Sequence, residues 1–222
     1  RGVLGGGVCA ACWAALPLLD PETACETCAL PGAAPLCRTC AGTLPPVART
    51  VAVARYESSM RRGVDALKFR GHDILASRCG ALMAAAARSA RLHESLSAVV
   101  TVPSTSRRNR DRGYDPAALL AEEVGRRLGA PLRPLLSRVR ETPPQSRAPA
   151  GRRRENVRGA FAASARARGE SLLVVDDVMT TGATAFEAAR TLRGAGAAAV
   201  ALLVLARTPE AGPAPRGSTE DA

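Results

Sequence analysis

The feature that most constrains the fold is an apolar run that leads into two aspartates and a short polar loop. Leu172–Val175 forms the run, and Asp176 and Asp177 follow it directly. A continuous apolar run of this kind is typical of a strand buried on both faces of a parallel sheet. A helix predicted from Ala183 and a second apolar run, Ala198–Ala206, complete a strand–helix–strand unit with parallel strands. The sequence therefore predicts an α/β fold in which helices flank a parallel sheet.

Other segments of the chain supply the remaining strands and helices. Asp115 and Pro116 form a helix start signal, and Gly129 can end that helix. Helical spacing of apolar residues predicts further helices, and short apolar runs predict further strands. The predicted helices are Ser59–Phe69, Asp73–His93, Pro116–Leu128 and Ala183–Arg193, and the additional strands are Val51–Tyr56, Ser97–Pro103 and Leu132–Leu136.

The loop after the two aspartates brings together groups that suit a sugar phosphate. Gly182 lets the backbone approach a ligand closely, and the start of the next helix offers unpaired N–H groups to a phosphate. Asp176 and Asp177 can then bind vicinal hydroxyls at the mouth of the sheet, where such ligands bind. The alternative is an ordinary strand-to-helix turn capped by threonine. The predicted phosphate-binding residues are Thr180, Thr181, Gly182, Ala183 and Thr184.

Six of the seven cysteines form Cys-x-x-Cys pairs near the start of the chain. A long chain without an export signal is expected to be cytoplasmic, where thiols stay reduced and such pairs bind zinc. The two later pairs make the best zinc site, because Pro31 and Gly32 allow a tight turn between them. The alternatives are a site that has lost its metal and a disulfide formed in air. The predicted zinc ligands are Cys25, Cys28, Cys37 and Cys40.

The first cysteine pair, Cys9 and Cys12, has no second pair to complete a site. It either belongs to a second zinc site whose other cysteines precede Arg1, or it consists of free thiols. The start at Arg1 rather than Met favours the first interpretation. Cys79 lies in an alanine-rich helical stretch and is expected to be a buried apolar residue. No apolar stretch is long enough to predict a membrane span.

The net charge of +11 favours anionic partners, but the arginine-rich bias typical of a GC-rich genome accounts for part of it. The aromatic content of 3% argues against a surface of stacked bases. Arginines that follow a predicted strand at the same sheet edge suit a pyrophosphate, and the alternative is a solvated cluster. Lys68, the sole lysine, is expected to reach the pyrophosphate or the domain junction, unless it is simply exposed. The pyrophosphate-binding candidates are Lys68, Arg107, Arg108 and Arg112.

The run of apolar residues, two acids and Thr-Thr-Gly-x-Thr resembles the signature of the type I phosphoribosyltransferase family. This resemblance implies a ligand, phosphoribosyl pyrophosphate (PRPP), that arrives with Mg²⁺. It also implies roles for the matching residues. Asp176 and Asp177 would contact the ribose 2′- and 3′-hydroxyls as the catalytic acids, and the loop from Thr180 to Thr184 would hold the 5′-phosphate.

The rest of the chain resembles the ComF-type competence proteins, in which a zinc ribbon is fused to a phosphoribosyltransferase-like domain. The matching segments are Leu67-Lys68-Phe69-Arg70-Gly71, Val102-Pro103 with Arg107, Arg108, Arg112, Gly113 and Tyr114, and Gln145, Arg153, Asn156 and Gly159-Ala160-Phe161. The chain departs from the family's pattern at Asp111, where an arginine is common, and at Asp115-Pro116, where Asn-Gln is common. It also has three Cys-x-x-Cys pairs where the family usually has four.

This resemblance implies a zinc ribbon over residues 1–45 and a phosphoribosyltransferase-like domain over 46–207. The tail over 208–222 is rich in Pro, Gly, Ser and Glu, and this composition predicts disorder. It implies PRPP binding and a role in DNA uptake, with single-stranded DNA or competence-machinery proteins as partners. The first alternative is an active nucleobase phosphoribosyltransferase of nucleotide salvage. The second is a zinc-ribbon DNA-binding module without enzymatic activity.

Overall fold

The computed structural model describes residues 9–42, 45–70, 73–103, 113–140 and 156–209. Its strands are β1 (Thr50–Arg55), β2 (Ala98–Thr101), β3 (Leu136–Arg138), β4 (Phe161–Ala163), β5 (Ser171–Met179) and β6 (Ala199–Arg207). Its helices are α1 (Ala10–Ala14), α2 (Arg38–Ala41), α3 (Ser58–Arg70), α4 (Asp73–Ser89), α5 (Pro116–Leu128) and α6 (Ala183–Gly194), with a 3₁₀ turn at Ala165–Ala167. Among these residues, no helix is long and apolar enough to cross a membrane.

Four strands form a parallel sheet in the order β1-β6-β5-β2, which confirms the predicted α/β class. Leu173, Leu203 and Leu205 are fully buried on one face of the sheet, where α3, α4 and α5 cover them. Leu172, Leu202 and their neighbours are buried on the other face beneath α6 and the antiparallel pair β3–β4. Strands covered on both faces explain why their sequences read as continuous apolar runs.

Helix α5 begins and ends as its sequence predicts. Asp115 caps it, since a side-chain oxygen accepts a hydrogen bond of 2.9 Å from the Ala117 N–H. Gly129 ends it in the left-handed conformation, with φ of +72°, which a glycine adopts without steric cost. Its apolar side, including Leu120 and Val124, packs on the sheet.

Two predicted elements that flank β2 in the sequence differ from the structure. Helix α4 ends at Ser89 rather than His93, because Arg91 turns left-handed and the Leu92 N–H bonds back to the Ala87 carbonyl. The predicted strand Leu132–Leu136 is reduced to a single bridge from Leu132 to β2, and pairing resumes in β3. Pro131 and Pro134 explain this difference, because neither has an N–H to donate to a strand ladder.

The segment before β1 wraps around the edge of the sheet. Leu18 pairs with Ala54, and the Leu19 N–H donates to the Val53 carbonyl at 2.9 Å. This pairing covers what would otherwise be an exposed edge strand. Trp13 packs against the apolar core on the face of the sheet that α4 covers. The cysteine-rich turns pack on the opposite face of the sheet.

Candidate functional site

The two aspartates lie inside β5, near its C-terminal end. Residue Thr101 of β2 pairs with Val175, so β5 continues to Met179 beyond the last paired residue of its neighbour. The prediction that the strand ends at Val175 is therefore too short. Each carboxylate is oriented by the backbone: Asp176 accepts from the Asp177 N–H at 2.8 Å, and Asp177 accepts from the Val178 N–H at 2.6 Å.

Lys68 lies directly against this acidic pair. Its ammonium nitrogen is 2.8 Å from a carboxylate oxygen of Asp177, and the two side chains are 23% and 16% exposed. Tyr114 donates a hydrogen bond of 2.8 Å to the Leu67 carbonyl, which fixes this part of α3 to the segment before α5. The structure thus places the sole lysine of the chain in the candidate site, as the counter-ion of Asp177.

The surroundings of Asp176 disfavour the ionised form of its carboxyl group. Burial, and then the adjacent charge of Asp177, raise the pKa of the Asp176 carboxyl to about 8, against weaker opposing effects of the Asp177 N–H and of Lys68. Two neighbouring carboxylates with one cation resist full ionisation. These surroundings favour the protonated form of Asp176 at neutral pH.

Asp176→Asn is expected to stabilise the free protein by about 1–3 kcal/mol at pH 7, because asparagine keeps the acceptor for the Asp177 N–H and carries no charge. The folded pKa is raised, so the wild type loses stability as pH rises from about 4 towards 8, since the unfolded chain releases the proton first. The variant lacks this contribution. Thermal unfolding of both proteins at pH 5, 6.5 and 8 measures it, and parallel pH profiles would contradict the assignment.

The loop after β5 leads directly into α6. Gly182 occupies the N-cap position with φ of +76°, and the Thr181 hydroxyl accepts a hydrogen bond of 3.4 Å from the Ala183 N–H. Thr180, Thr181 and Thr184 are half-buried. The predicted phosphate-binding residues thus lie together at the N-terminus of a 12-residue helix, where N–H groups and the helix dipole favour an anion.

The four later cysteines converge as predicted. Their sulfur atoms all lie within 4.8 Å of one another, and the residues are buried. Cys28 and Cys37 have sulfur atoms 3.7 Å apart, close to the separation of about 3.8 Å that tetrahedral zinc–thiolate bonds impose. These are the ligand number, type and spacing of a structural zinc site. In the described part of the chain, no other group of three or more metal-ligating side chains converges in this way.

The cysteine thiols have strongly divergent pKa values. Burial opposes ionisation of Cys25, but N–H groups of Cys37, Cys28 and Thr27 outweigh it and lower its pKa to about 7. Burial, together with the neighbouring Cys25, raises the pKa of Cys28 to about 11 against the opposing effect of the Leu30 N–H. A cluster that stabilises one thiolate and resists the next is suited to a cation that neutralises all of them.

Some predicted site residues are not brought into either cluster. Cys9 caps the short helix α1, where its sulfur accepts from the Cys12 N–H at 3.4 Å, apart from the four-cysteine cluster. Cys79 is buried in the apolar core as predicted. Other predicted residues lie outside the described part of the chain: Arg107, Arg108, Arg112, Gln145 and Arg153.

Two buried charged residues have functional contacts that the sequence does not predict. Glu187 of α6 accepts a hydrogen bond of 2.8 Å from the Gly159 N–H and pairs with Arg190. Arg207, at the end of β6, is 3% exposed and donates from Nε to the Cys28 carbonyl at 2.9 Å. The available signal for Arg207 was a charge that directly follows the apolar run of β6.

Residues 115–219 match the family described as phosphoribosyl transferase domain. The chain is 33% identical over 208 residues to the DNA utilization protein YhgH of Salmonella typhimurium, and the match covers 91% of both chains. It is 29% identical over 179 residues to competence protein F of Haemophilus influenzae, covering 77% of this chain and 78% of that protein.

Among solved structures, the chain is similar to the allosteric regulatory enzyme of purine biosynthesis, with a TM-score of 0.39 and 23% identity. That likeness covers 59% of this chain and 26% of the enzyme. Glutamine phosphoribosylpyrophosphate amidotransferase of Bacillus subtilis gives a TM-score of 0.37 and 21% identity over 58% of this chain and 26% of that one.

Proposed function

Because the chain belongs to the ComF-type, phosphoribosyltransferase-like family of YhgH and competence protein F, we propose that it binds PRPP between β5 and α6. One observation carries the proposal: the acidic pair of β5 and the N-terminus of α6 lie on either side of one five-residue stretch, Val178–Gly182. The helix end suits the 5′-phosphate, and the carboxylates suit the ribose hydroxyls.

The pyrophosphate group would lie near Lys68, which already faces Asp177. Ribose hydroxyls that donate hydrogen bonds to Asp177 would replace the ammonium group of Lys68. That group would then be free to bind a pyrophosphate oxygen. Mg²⁺ would arrive bound to the pyrophosphate, and the arginines at 107, 108 and 112 are proposed to neutralise the same group. The ion pair of Lys68 with Asp177 supports this exchange, because it shows that the ammonium group is within reach of the acidic pair.

In a transfer reaction, the bond from the anomeric carbon to pyrophosphate breaks and an acceptor forms the new bond. Positive charge develops on the sugar ring, and the carboxylates of Asp176 and Asp177 would stabilise it as fixed negative groups. The leaving pyrophosphate takes its electron pair with it, so no protein nucleophile is needed. The acidic pair would thus serve both in binding and in the chemical step.

Turnover and simple binding are separated by one assay. The protein is incubated with PRPP, Mg²⁺ and a panel of nucleobases, and released pyrophosphate is measured. A base-dependent release would support a salvage phosphoribosyltransferase. Binding of PRPP without release would support a ligand-binding protein of the ComF type.

Lys68→Met is expected to weaken PRPP binding at least tenfold, because it removes the cation that faces Asp177 and the pyrophosphate. Lys68→Arg should also weaken it, since a planar guanidinium does not replace a compact ammonium group in this half-buried position. Isothermal titration calorimetry measures both affinities. Arg62→Met, an exposed position on the same helix, is the control, and unchanged affinity in Lys68→Met would contradict the role.

A role with DNA is a second proposal, supported by the names of the relatives, DNA utilization protein and competence protein F, and by the net charge of +11. The partner would be single-stranded DNA or a protein of the uptake machinery. Retention of a single-stranded oligonucleotide, measured across salt concentrations, tests it. Binding that falls steeply with salt supports contact with phosphates, and no retention at low salt argues against it.

The four-cysteine cluster is proposed to bind one Zn²⁺. Cys25, Cys28, Cys37 and Cys40 would hold it in a closed tetrahedral site, so its contribution is to stability rather than to chemistry. Burial of all four residues supports this, because a closed site has no place for substrate.

A further inference from the structure

The cysteine cluster and the Thr-Thr-Gly loop share one buried residue, Met179. Its side chain is 2% exposed and packs in the same apolar cluster as the four cysteines, together with Ala52 and Val204 of the sheet. The same side chain lies under the loop, since a Cβ built on Gly182 would lie 2.3 Å from its terminal methyl carbon. The turns that would hold the metal therefore support the residue on which the loop rests.

A second path between the two sites runs through Arg207. Its Nε donates to the Cys28 carbonyl at 2.9 Å, and its Nη1 donates to the Thr208 carbonyl and, at 3.3 Å, to the Thr208 hydroxyl. The Thr208 N–H in turn donates to the Met179 carbonyl at 3.1 Å. Arg207 is also the register partner of Met179 across β5 and β6. The backbone of a predicted metal ligand is thus tied to the last residue before the loop.

The buried charge of Arg207 also points to the cysteine cluster. It is 3% exposed, and in the part of the chain that the structure describes it takes part in none of the ion pairs. A buried guanidinium without a carboxylate is costly. A zinc ion held by the four thiolates would carry a net charge of about −2, and the hydrogen bond to the Cys28 carbonyl would then place Arg207 next to an anionic centre.

We propose that Arg207 is a positioning residue that couples metal binding at the cysteine cluster to phosphate binding at the loop. This inference rests on the proposed binding of a sugar phosphate. In this coupling, the metal fixes the turn around Cys28. Arg207 and Thr208 then hold the end of β5 in place. Met179, the last residue of that strand, in turn holds Gly182 in its left-handed conformation. Coupling is reciprocal, so the sugar phosphate must strengthen metal binding by the same factor.

The test measures zinc affinity by competition with a chromophoric chelator, with and without saturating ribose 5-phosphate. Ribose 5-phosphate is the probe because the pyrophosphate of PRPP itself binds zinc. We expect it to raise zinc affinity about five- to tenfold in the wild type and by a factor near one in Arg207→Met. Arg49→Met is the control, because Arg49 also joins the cysteine-rich turns to the segment before β1, through an exposed pair with Glu22.

A spectroscopic measurement tests the coupling without relying on the Arg207 variant. Cobalt(II) replaces zinc in the folded wild type, and ribose 5-phosphate is expected to shift the thiolate–cobalt absorption bands. Met179→Leu, which conserves volume but changes shape, should reduce both the shift and the affinity ratio. This second variant applies if Arg207→Met does not fold.

The outcomes separate coupling from function. If calorimetry shows that ribose 5-phosphate binds the wild type but zinc affinity does not change, the coupling is overturned and the proposed function stands. If neither ribose 5-phosphate nor PRPP binds the zinc-loaded protein, the proposed function fails and the coupling fails with it. If Arg207→Met weakens zinc binding but keeps the wild-type ratio, Arg207 is structural only and its positioning role is overturned.

Discussion

Gly182→Ala is expected to lower PRPP affinity at least a hundredfold while the protein still binds metal. Gly182 has φ of +76°, a conformation that costs an alanine about 1 kcal/mol or more. Its added methyl group would also lie 2.3 Å from the Met179 methyl carbon and 2.6 Å from the Phe186 ring. Met179 is buried and cannot move aside freely, so the loop must shift and the N–H groups at the start of α6 lose their arrangement.

The matched control for this substitution is Gly129→Ala. Gly129 has nearly the same φ, +72°, but a methyl group there meets nothing within 4 Å. Gly129→Ala therefore introduces the same backbone strain without a steric clash, at the C-terminus of α5. Calorimetric titration with PRPP and Mg²⁺ should give wild-type affinity for Gly129→Ala and an affinity at least a hundredfold lower for Gly182→Ala. Equal affinity in the two variants would show that the loop does not hold the phosphate.

Cys28→Ser is expected to abolish zinc binding and to reduce the free energy of unfolding by about 3–5 kcal/mol. The residues from Ala24 to Cys40 contribute few apolar side chains, so a metal must supply much of their stability. The loss should extend to the sheet, because the cluster packs on Ala52, Met179 and Val204. Bound zinc measured by mass spectrometry and unfolding in urea report the two effects.

Cys79→Ala is the control for the removal of a cysteine. Cys79 is buried in the main core, 4% exposed, and contacts no predicted metal ligand. It should keep one zinc per chain and lose only about 1 kcal/mol. Cys9→Ser should also keep one zinc, since Cys9 lies apart from the cluster. Loss of zinc in the Cys79 variant, or its retention in Cys28→Ser, would contradict the assigned site.

The sequence predicts well the elements whose signals are local. Asp115, Pro116 and Gly129 set the limits of α5, and the two later Cys-x-x-Cys pairs predict the four-sulfur cluster. The apolar runs predict the strands of a parallel sheet, because both faces of that sheet are covered. In each of these cases a few neighbouring residues determine the structure.

The contacts that depend on tertiary structure could not be predicted. β5 continues beyond Val175 because it pairs with β6 as far as Met179, whose partner is Arg207. The sequence does not predict this extension, because the two acidic residues after Val175 are typical of a loop. Lys68 was singled out because it is the sole lysine, but its partner Asp177 is more than a hundred residues away in the chain. The contact of Arg207 with Cys28 joins residues 179 positions apart, which no spacing rule can indicate.

The acidic pair and the loop that follows it are expected to bind PRPP. The most direct test is calorimetric titration of the zinc-loaded wild type and of Asp177→Asn with PRPP and Mg²⁺ at pH 8. We expect one PRPP per chain for the wild type and an affinity at least tenfold lower for Asp177→Asn, because the variant loses a charged acceptor for the ribose hydroxyls. Absence of binding by the folded, zinc-loaded wild type, or equal affinity in the two proteins, would contradict the account.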